Sequence, residues 1–272
     1  MAKSNSDLDR RQFLKNGALA VAALSAVGLG ANYLKHIKPV NERALLRPPG
    51  AINEEEFMYA CIKCGLCVQI CPIEAIELAD ITDGLSYGTP YIDPKNQACD
   101  FSCDAMQCIE TCPTSALNFI PFKQAGEDAL VAFEKANTTP DADHNPFILQ
   151  SKAMKANTKM GIAVINTSTC LAVQGKGFSG SPREEGFDGV YRSPNPKRKE
   201  RKASPVNDHA FNREICDLCV TECPIGETAI IMESVGNIMQ PKVLDACTGC
   251  GVCVMLCPAS PDTIVIETLQ TA

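Results

Sequence analysis

Tryptophan is absent from this 272-residue sequence, and aromatic residues together make up only 6% of it. Proline and glycine are plentiful by contrast, with eighteen of each. Few large aromatic side chains and many turn residues favour small, turn-rich units over one large hydrophobic core. Because small units often depend on bound metals for stability, this composition favours metal centres.

Histidine and basic residues are also scarce. None of the three histidines, His36, His144 and His209, follows a Cys-x-x-Cys pair, which excludes covalent attachment of a c-type haem. We expect all three to face solvent. Lysine and arginine number 25 against 32 acidic residues, which gives a net charge of −7 and argues against nucleic acid as a partner.

The N-terminal segment lacks charge between Asn16 and Leu34 and has no clean Ala-x-Ala cleavage site. The sequence Arg-Arg-Gln-Phe-Leu-Lys at residues 10–15 precedes this weakly apolar stretch. A twin-arginine pair in that setting is typical of a Tat export signal, the alternatives being an ordinary secretory signal or a membrane anchor. We therefore expect residues 1–35 to be a Tat signal or N-terminal anchor. The protein is then periplasmic, with peripheral membrane association or a tether to the inner membrane if the segment is retained.

Cysteine is abundant, with sixteen residues. The run Cys-x2-Cys-x2-Cys-x3-Cys-Pro occurs at residues 61–72 and again at 247–258. A version with wider gaps occupies 99–113, and a version that lacks its first cysteine occupies 216–224. Cys170 is the single cysteine outside these runs, and assigning it as the missing first member gives four complete sets.

This spacing is that of bacterial ferredoxins, in which three cysteines of a run bind one [4Fe–4S] cluster and the fourth binds a second cluster. The proline has no N–H group and a fixed φ angle, so the chain turns away after the fourth cysteine. Zinc and disulfide bonds are the alternatives, but three thiols in seven residues do not suit tetrahedral zinc. The Tat route carries folded proteins, so it is compatible with clusters inserted before export. The sequence thus predicts four [4Fe–4S] clusters.

We assign the thiols to four sites on the rule that the fourth cysteine of each run binds the neighbouring cluster. Site 1 comprises Cys61, Cys64, Cys67 and Cys112, and site 2 comprises Cys99, Cys103, Cys108 and Cys71. Site 3 comprises Cys170, Cys216, Cys219 and Cys257, and site 4 comprises Cys247, Cys250, Cys253 and Cys223. A competing arrangement pairs the first run with the fourth and the second with the third, as in four-cluster subunits of molybdenum oxidoreductases. We favour neighbours because short, hairpin-like connections join them.

Strand-like sequence follows each run and precedes all runs except the first. This pattern predicts an α+β fold of tandem bacterial-ferredoxin-like units, each holding two [4Fe–4S] clusters, with long loops. We place the first unit at 52–122 and the second at 160–272, with an insertion at 171–215. Residues 36–51 and 123–159 are then linkers.

Three further stretches carry patterns of their own. Residues 175–180 match the dinucleotide motif GxGxxG, but that motif must lie between a strand and a helix. Because a predicted ligand precedes it and a proline-rich loop follows, we do not predict a dinucleotide site. The basic run at 197–202 is expected to be a solvated loop rather than a docking patch. Residues 126–137, inside the second linker, have helical composition.

The export motif, the four proline-ended runs, the widened second run and the isolated Cys170 together resemble the NapG/MauM family of ferredoxin-type proteins. The resemblance covers most of the chain, apart from the basic insertion. For NapG proteins it implies a periplasmic partner of a NapH-like membrane protein that oxidises quinol and contains iron–sulfur clusters. Electrons then pass toward a periplasmic nitrate reductase or its cytochrome. MauM proteins accompany methylamine utilisation, and the sequence does not distinguish these acceptors.

With every cysteine assigned as a ligand, no open metal position, thiol nucleophile or catalytic triad remains. We therefore predict an electron carrier rather than an enzyme, acting as the electron-transfer component of a quinol dehydrogenase complex. Two alternatives stay open: an iron–sulfur subunit of another molybdenum oxidoreductase, and an assembly or maturation protein with structural clusters. Lys63, inside the first run, either raises the potential of its cluster or faces outward, and we favour the second.

Overall fold

The computed structural model describes residues 44–103, 106–136, 145–182, 210–259 and 262–269. The predicted export segment at 1–35, the basic run at 197–202 and the three histidines lie outside these residues. All sixteen cysteines lie inside them, in the unit formed by Ala44–Ile81 and Leu85–Ala272. Among the described helices, none is both long enough and apolar enough to cross a membrane.

Short helices and paired strands alternate along the described chain. The helices are α1 (Glu54–Ala60), α2 (Leu66–Ile70), α3 (Gln107–Glu110), α4 (Ile120–Lys135), α5 (Pro146–Ala156), α6 (Leu218–Thr221) and α7 (Val252–Met255). The strands are β1 (Glu77–Leu78), β2 (Pro90–Tyr91), β3 (Gly161–Ile165), β4 (Phe178–Gly180), β5 (Phe211–Arg213), β6 (Ile230–Val235), β7 (Ile238–Val243) and β8 (Ile264–Thr268). Turns of 3₁₀ helix occupy Ile81–Ser86 and Gly226–Thr228. This mixture confirms the α+β class.

In the first half, a hairpin connects the first cysteine run to the second. β1 and β2 pair antiparallel, with Glu77 opposite Tyr91. On the outer side, Ala51 forms an antiparallel bridge with Leu117. The chain before the first run is thereby joined to the chain after the second, so the two runs lie side by side.

A buried arginine holds the helix that leads into the first run. The Arg47 guanidinium donates to both carboxylate oxygens of Glu54, to the Thr89 hydroxyl at 2.8 Å and to the Pro90 carbonyl at 3.0 Å. It also lies 4.8 Å from the centroid of the Phe57 ring. Because the charge is paired and its N–H groups have acceptors, its burial is tolerated, and α1 is fixed against the β1–β2 hairpin.

The second half repeats this plan. β6 and β7 form the inner antiparallel hairpin, with Ile230 opposite Val243. β3 and β8 form the outer antiparallel pair, with Ala163 opposite Ile266. The hairpin-like connections expected between neighbouring runs are therefore present in both halves.

One hydrophobic core joins the two halves. Phe57, Phe101 and Leu117 from the first half cluster with Val252 and Leu256 from the second. Each of these side chains is at most 2% exposed. The two units expected in tandem thus share a core and form one body.

The stretch 123–159, expected to be a linker, contributes two helices to this body. α4 and α5 pack against each other, and Phe122 and Met154 belong to the shared core. Gly126 lies at the contact, where an added Cβ atom would be 3.0 Å from Gln150 Cγ. The helical composition seen in the sequence is therefore confirmed, and apolar residues on both helices explain why the segment packs instead of merely connecting.

A short hairpin closes the base of the insertion between Cys170 and Cys216. β4 and β5 pair antiparallel, with Ser179 opposite Asn212. The N–H of Cys216 also donates to the Lys176 carbonyl at 3.0 Å. Two cysteines that are distant in sequence are thus brought to the same place.

The hairpin also explains the glycines at 175–180. An added Cβ atom on Gly177 would lie 2.0 Å from the Arg213 carbonyl oxygen, so a larger residue does not fit. The last three residues of the motif form β4, where a dinucleotide site would require the start of a helix. Gly177 therefore serves the close approach of the two segments.

Candidate iron–sulfur sites

The thiols of site 1 surround a cavity in the first half. Cys61, Cys64, Cys67 and Cys112 all line this cavity, which has a volume of about 360 Å³ including its open mouth. The pKa of Cys67 is raised to about 12, first by burial and then by the thiols of Cys61, Cys64 and Cys112. The remaining walls include Phe57, Pro90 and Leu117, which are supplied by α1, β2 and the segment after the second run.

Site 2 has the same construction. Its four thiols line a second cavity of about 350 Å³ together with residues such as Ile73, Ile76 and Phe101. Burial raises the pKa of Cys99 well above its ordinary value, and the thiols of Cys103, Cys108 and Cys71 raise it further. The wider spacing of the second run is therefore compatible with a complete group of four.

Site 3 gathers thiols from three separate segments. Burial raises the pKa of Cys219, and the next contributions come from Cys216, Cys170 and Cys257. Cys170 itself is buried. The β4–β5 hairpin brings the isolated cysteine beside the incomplete third run, as the assignment of site 3 requires.

Site 4 is built around the last cysteine run. Cys247, Cys250, Cys253 and Cys223 line a cavity of about 370 Å³. The pKa of Cys253 is raised well above its ordinary value, first by burial and then by Cys250. Burial likewise raises the pKa of Cys250 to about 12. The structure thus brings together the thiols of each site in the neighbour arrangement.

Backbone N–H groups point at the sulfur atoms. Ala75 N–H donates to Cys71 Sγ at 3.3 Å, and Leu117 N–H donates to Cys112 Sγ at 3.4 Å. Both donors follow a Cys-Pro turn, so the proline directs the chain back over the sulfur of the cysteine that precedes it. Such bonds stabilise thiolate charge and help to set the potential of a bound cluster.

The backbone around the runs is strained in a repeated way. Among the described residues, the non-glycine residues with positive φ all lie in the runs or just after them: Lys63, Glu74, Phe101, Met106 and Ser115. Left-handed residues beside right-handed ones turn successive N–H groups inward, a geometry common at iron–sulfur sites. Sequence reasoning missed this feature, although an alignment of the runs would have shown it, because Lys63 occupies the place of Gly249.

The donor set fits iron–sulfur clusters. Apart from the exposed Cys64, the thiols of the four sites are buried or partly buried. The apolar walls of sites 1, 2 and 4 and the N–H donors at Cys71 and Cys112 complete the environment of a [4Fe–4S] centre. In the part of the chain that the structure describes, no three His, Cys, Asp or Glu side chains converge on a single metal-ion position. A cluster does not require such convergence, because each cysteine binds a different iron atom.

Two lysines near the sites differ in orientation. Lys63 is exposed, and its Nζ lies 6.0 Å from the centroid of the Tyr87 ring. Burial raises the pKa of the Cys103 thiol, and the nearby charge of Lys155 on α5 lowers it by a smaller amount. Sequence reasoning missed this lysine. Lys155 lies in the stretch predicted to be a linker, and only tertiary packing brings α5 to site 2.

Comparisons with known proteins agree with this chemistry. A family model described as a 4Fe-4S dicluster domain matches residues 60–116, and a 4Fe-4S binding domain matches 244–260. The ferredoxin-type protein NapG of Escherichia coli (strain K12) is 28% identical over 272 residues, 97% of this chain and 87% of its own. The methylamine utilization ferredoxin-type protein MauM of Paracoccus denitrificans (strain Pd 1222) is 30% identical over 246 residues, 88% of this chain and 78% of its own. No solved structure matches.

Proposed function

Because the chain belongs to the NapG and MauM family of ferredoxin-type proteins and is thus an iron–sulfur electron-transfer protein, we propose that it carries four [4Fe–4S] clusters. The observation that carries this proposal is the grouping of the thiols. Sixteen cysteines form four sets of four, and none is left over. Three of the sets line cavities of about 350 to 370 Å³, open mouths included.

The residues of each site hold and tune the redox centre. A bound [4Fe–4S] cluster supplies a centre that gains and loses one electron. The four thiolates fix its position, and the apolar walls limit water around it. The N–H donors, such as Ala75 and Leu117, offset the negative charge that four thiolates bring together.

We propose that the protein receives its electrons from quinol through a NapH-like iron–sulfur protein in the membrane. Two electrons leave each quinol with two protons, and the sites accept them one at a time. The electrons then pass to a periplasmic reductase, such as nitrate reductase, or to its cytochrome. Support comes from the relatives, which match almost the whole chain, and from the twin-arginine segment at 10–15.

The first experiment is a redox titration of anaerobically purified full-length protein, monitored by electron paramagnetic resonance with iron and sulfide analysis. We expect about sixteen irons per chain and reversible reduction of four centres. Far less iron, or centres that are not reoxidised, contradicts the proposal and favours a protein in which clusters are structural.

A second experiment tests the partners. The protein is mixed with vesicles that contain reduced quinone, with and without the NapH-like protein. We expect reduction only when the membrane protein is present. Subsequent oxidation by a periplasmic nitrate reductase system, and not by a methylamine-utilisation acceptor, supports the NapG-like assignment, and the opposite selectivity contradicts it.

A further inference from the structure

The two halves of the molecule meet where site 2 adjoins site 4. The backbone N–H of Cys99, in site 2, donates to the carbonyl of Cys250, in site 4, with an N···O distance of 3.2 Å. This hydrogen bond joins two residues that are each assigned as a cluster ligand. Site 2 and site 4 are therefore in direct backbone contact.

Close packing surrounds this hydrogen bond. An added Cβ atom on Gly251 would lie 2.5 Å from Pro94 Cβ, so the Pro94 ring packs directly against the backbone at Gly251. Ala98 is fully buried, and its N–H points at the Met255 sulfur at 3.4 Å. No space for an intervening side chain remains between the two sites at this junction.

Within each half, the paired sites also adjoin. α2 packs against α3, and these helices carry Cys67 of site 1 and Cys108 of site 2. α6 packs against α7, and these helices carry Cys219 of site 3 and Cys253 of site 4. Cys219 also lines the cavity of site 4.

These contacts define one continuous series of sites. We infer that electrons cross between the halves from site 2 to site 4, so that the order along the path is site 1, site 2, site 4 and site 3. This inference rests on the proposed function. Each step moves one electron, which oxidises one site and reduces the next, and no bond forms or breaks. The order differs from the order of the cysteine runs, in which site 3 would follow site 2.

The same order makes site 1 and site 3 the ends of the path. Cys64 of site 1 is the exposed thiol among the sixteen, all of which the structure describes. The neighbouring Ile62 is 63% exposed and Leu66 is 40% exposed. Site 1 is thus the end that reaches the surface through an apolar rim, where a redox partner can approach its cluster closely.

The test compares two variants of the full chain that each lose one cluster. Cys216→Ala with Cys219→Ala removes the cluster of site 3, and Cys250→Ala with Cys253→Ala removes that of site 4. Both variants are reduced with dithionite, and spin–spin broadening between the remaining clusters is measured by electron paramagnetic resonance. Neighbouring paramagnetic clusters broaden each other, whereas an isolated cluster gives a narrow signal.

Without site 3, we expect all three remaining signals to stay broadened, because sites 1, 2 and 4 form an unbroken series. Without site 4, we expect the signal of site 3 to become narrow. Broadening of site 3 in the second variant, or a narrow site 4 in the first, overturns the path order. In either case about twelve irons per chain leave the proposed function standing. A natural-sequence chain with no reducible clusters overturns both.

A variant that keeps every ligand covers the case in which these proteins do not fold. Ala98→Val enlarges a side chain at the junction, which forces neighbouring groups apart in a packed core. We expect iron content to be unchanged and the broadening between site 2 and site 4 to weaken. Ala79→Val, the same change at a buried position that lines none of the described site cavities, is the control. If Ala98→Val alters the packing at the junction but leaves the broadening between site 2 and site 4 unchanged, the inference is overturned.

Discussion

Cys170 shows how a single residue can be misread without its surroundings. It precedes Cys216 by a 45-residue gap, and an isolated thiol would be a liability in the exported protein that the N-terminal segment predicts. In the structure it is buried, and together with Cys216 and Cys257 it raises the pKa of the Cys219 thiol. Its place in site 3 is a residue-scale assignment with a direct test.

We expect Cys170→Ala to lose the cluster of site 3 alone. Iron should fall by about a quarter, or less if a three-iron cluster persists, because only one of the four sites loses a ligand. Ser168→Ala, two residues earlier in an exposed position, is the control and should keep its iron. Full iron content in the Cys170 variant would mean that this thiol is not a ligand.

Lys155 supports a second residue-scale prediction. Its positive charge lies near Cys103 and favours negative charge on that thiol. A cluster bound at site 2 becomes more negative on reduction, so the lysine should raise its potential. We expect Lys155→Gln to lower the potential of site 2, measured by redox titration. Lys152→Gln, at an exposed position on the same helix, should shift it less. Equal shifts in both variants would indicate a general charge effect.

At the scale of elements, the β4–β5 hairpin determines whether site 3 can form. It closes the insertion and places Cys216 beside the residues that follow Cys170. Gly177 permits the close approach of the two segments, because its missing side chain leaves room for the Arg213 and Glu214 carbonyls.

We expect Gly177→Ala to weaken cluster binding at site 3 without loss of the other clusters. The added methyl group would lie 2.0 Å from the Arg213 carbonyl oxygen, so the chain leading to Cys216 must move. Iron analysis and the signal of site 3 measure the effect. Ser179→Ala, on the exposed side of β4, should behave like the unchanged protein. If Gly177→Ala retains all clusters at full occupancy, the hairpin does not position Cys216.

For the whole molecule, the clusters and the shared core depend on each other. Cys67, Cys108 and Cys250 belong to the core that joins the two halves. When no cluster is bound, their buried thiols must remain protonated for the core to stay neutral. Burial accordingly raises the pKa of Cys67 and Cys250 from 9.0 to about 12.

We therefore expect the cluster-free chain to lose stability as pH rises above about 9. In the unfolded chain these thiols ionise at their ordinary pKa of 9.0, whereas in the folded chain they hold their protons to higher pH. The stability that they contribute is fully present below pH 9 and falls through the window up to about 12.

Urea unfolding of the cluster-free chain, followed by circular dichroism at pH 8 and pH 10, measures this effect. The protein with bound clusters is the control, because its ligated thiolates carry no proton to lose. A cluster-free chain that is equally stable at both pH values would show that its thiols are not buried as the structure describes.

The sequence by itself determined the type of ligand and the local order of cysteine runs, turns and strands. Ferredoxin spacing identified the ligand type, and proline after each run indicated a turn away from the fourth cysteine. The structure added that this turn returns an N–H group to sulfur at Cys71 and Cys112. Short alternating segments predicted the hairpin β1–β2 and the strands around the later runs. These features are legible in sequence because they depend on residues only a few positions apart.

Only the tertiary structure decided which distant segments meet. The packing of α4 on α5 and the hydrogen bond between Cys99 and Cys250 join residues far apart in sequence, and no local pattern encodes such contacts. Hydrophobic burial is non-directional, so it favours one shared core without determining which faces of the helices and strands will form it. The order in which the sites adjoin is therefore a property of the packed molecule.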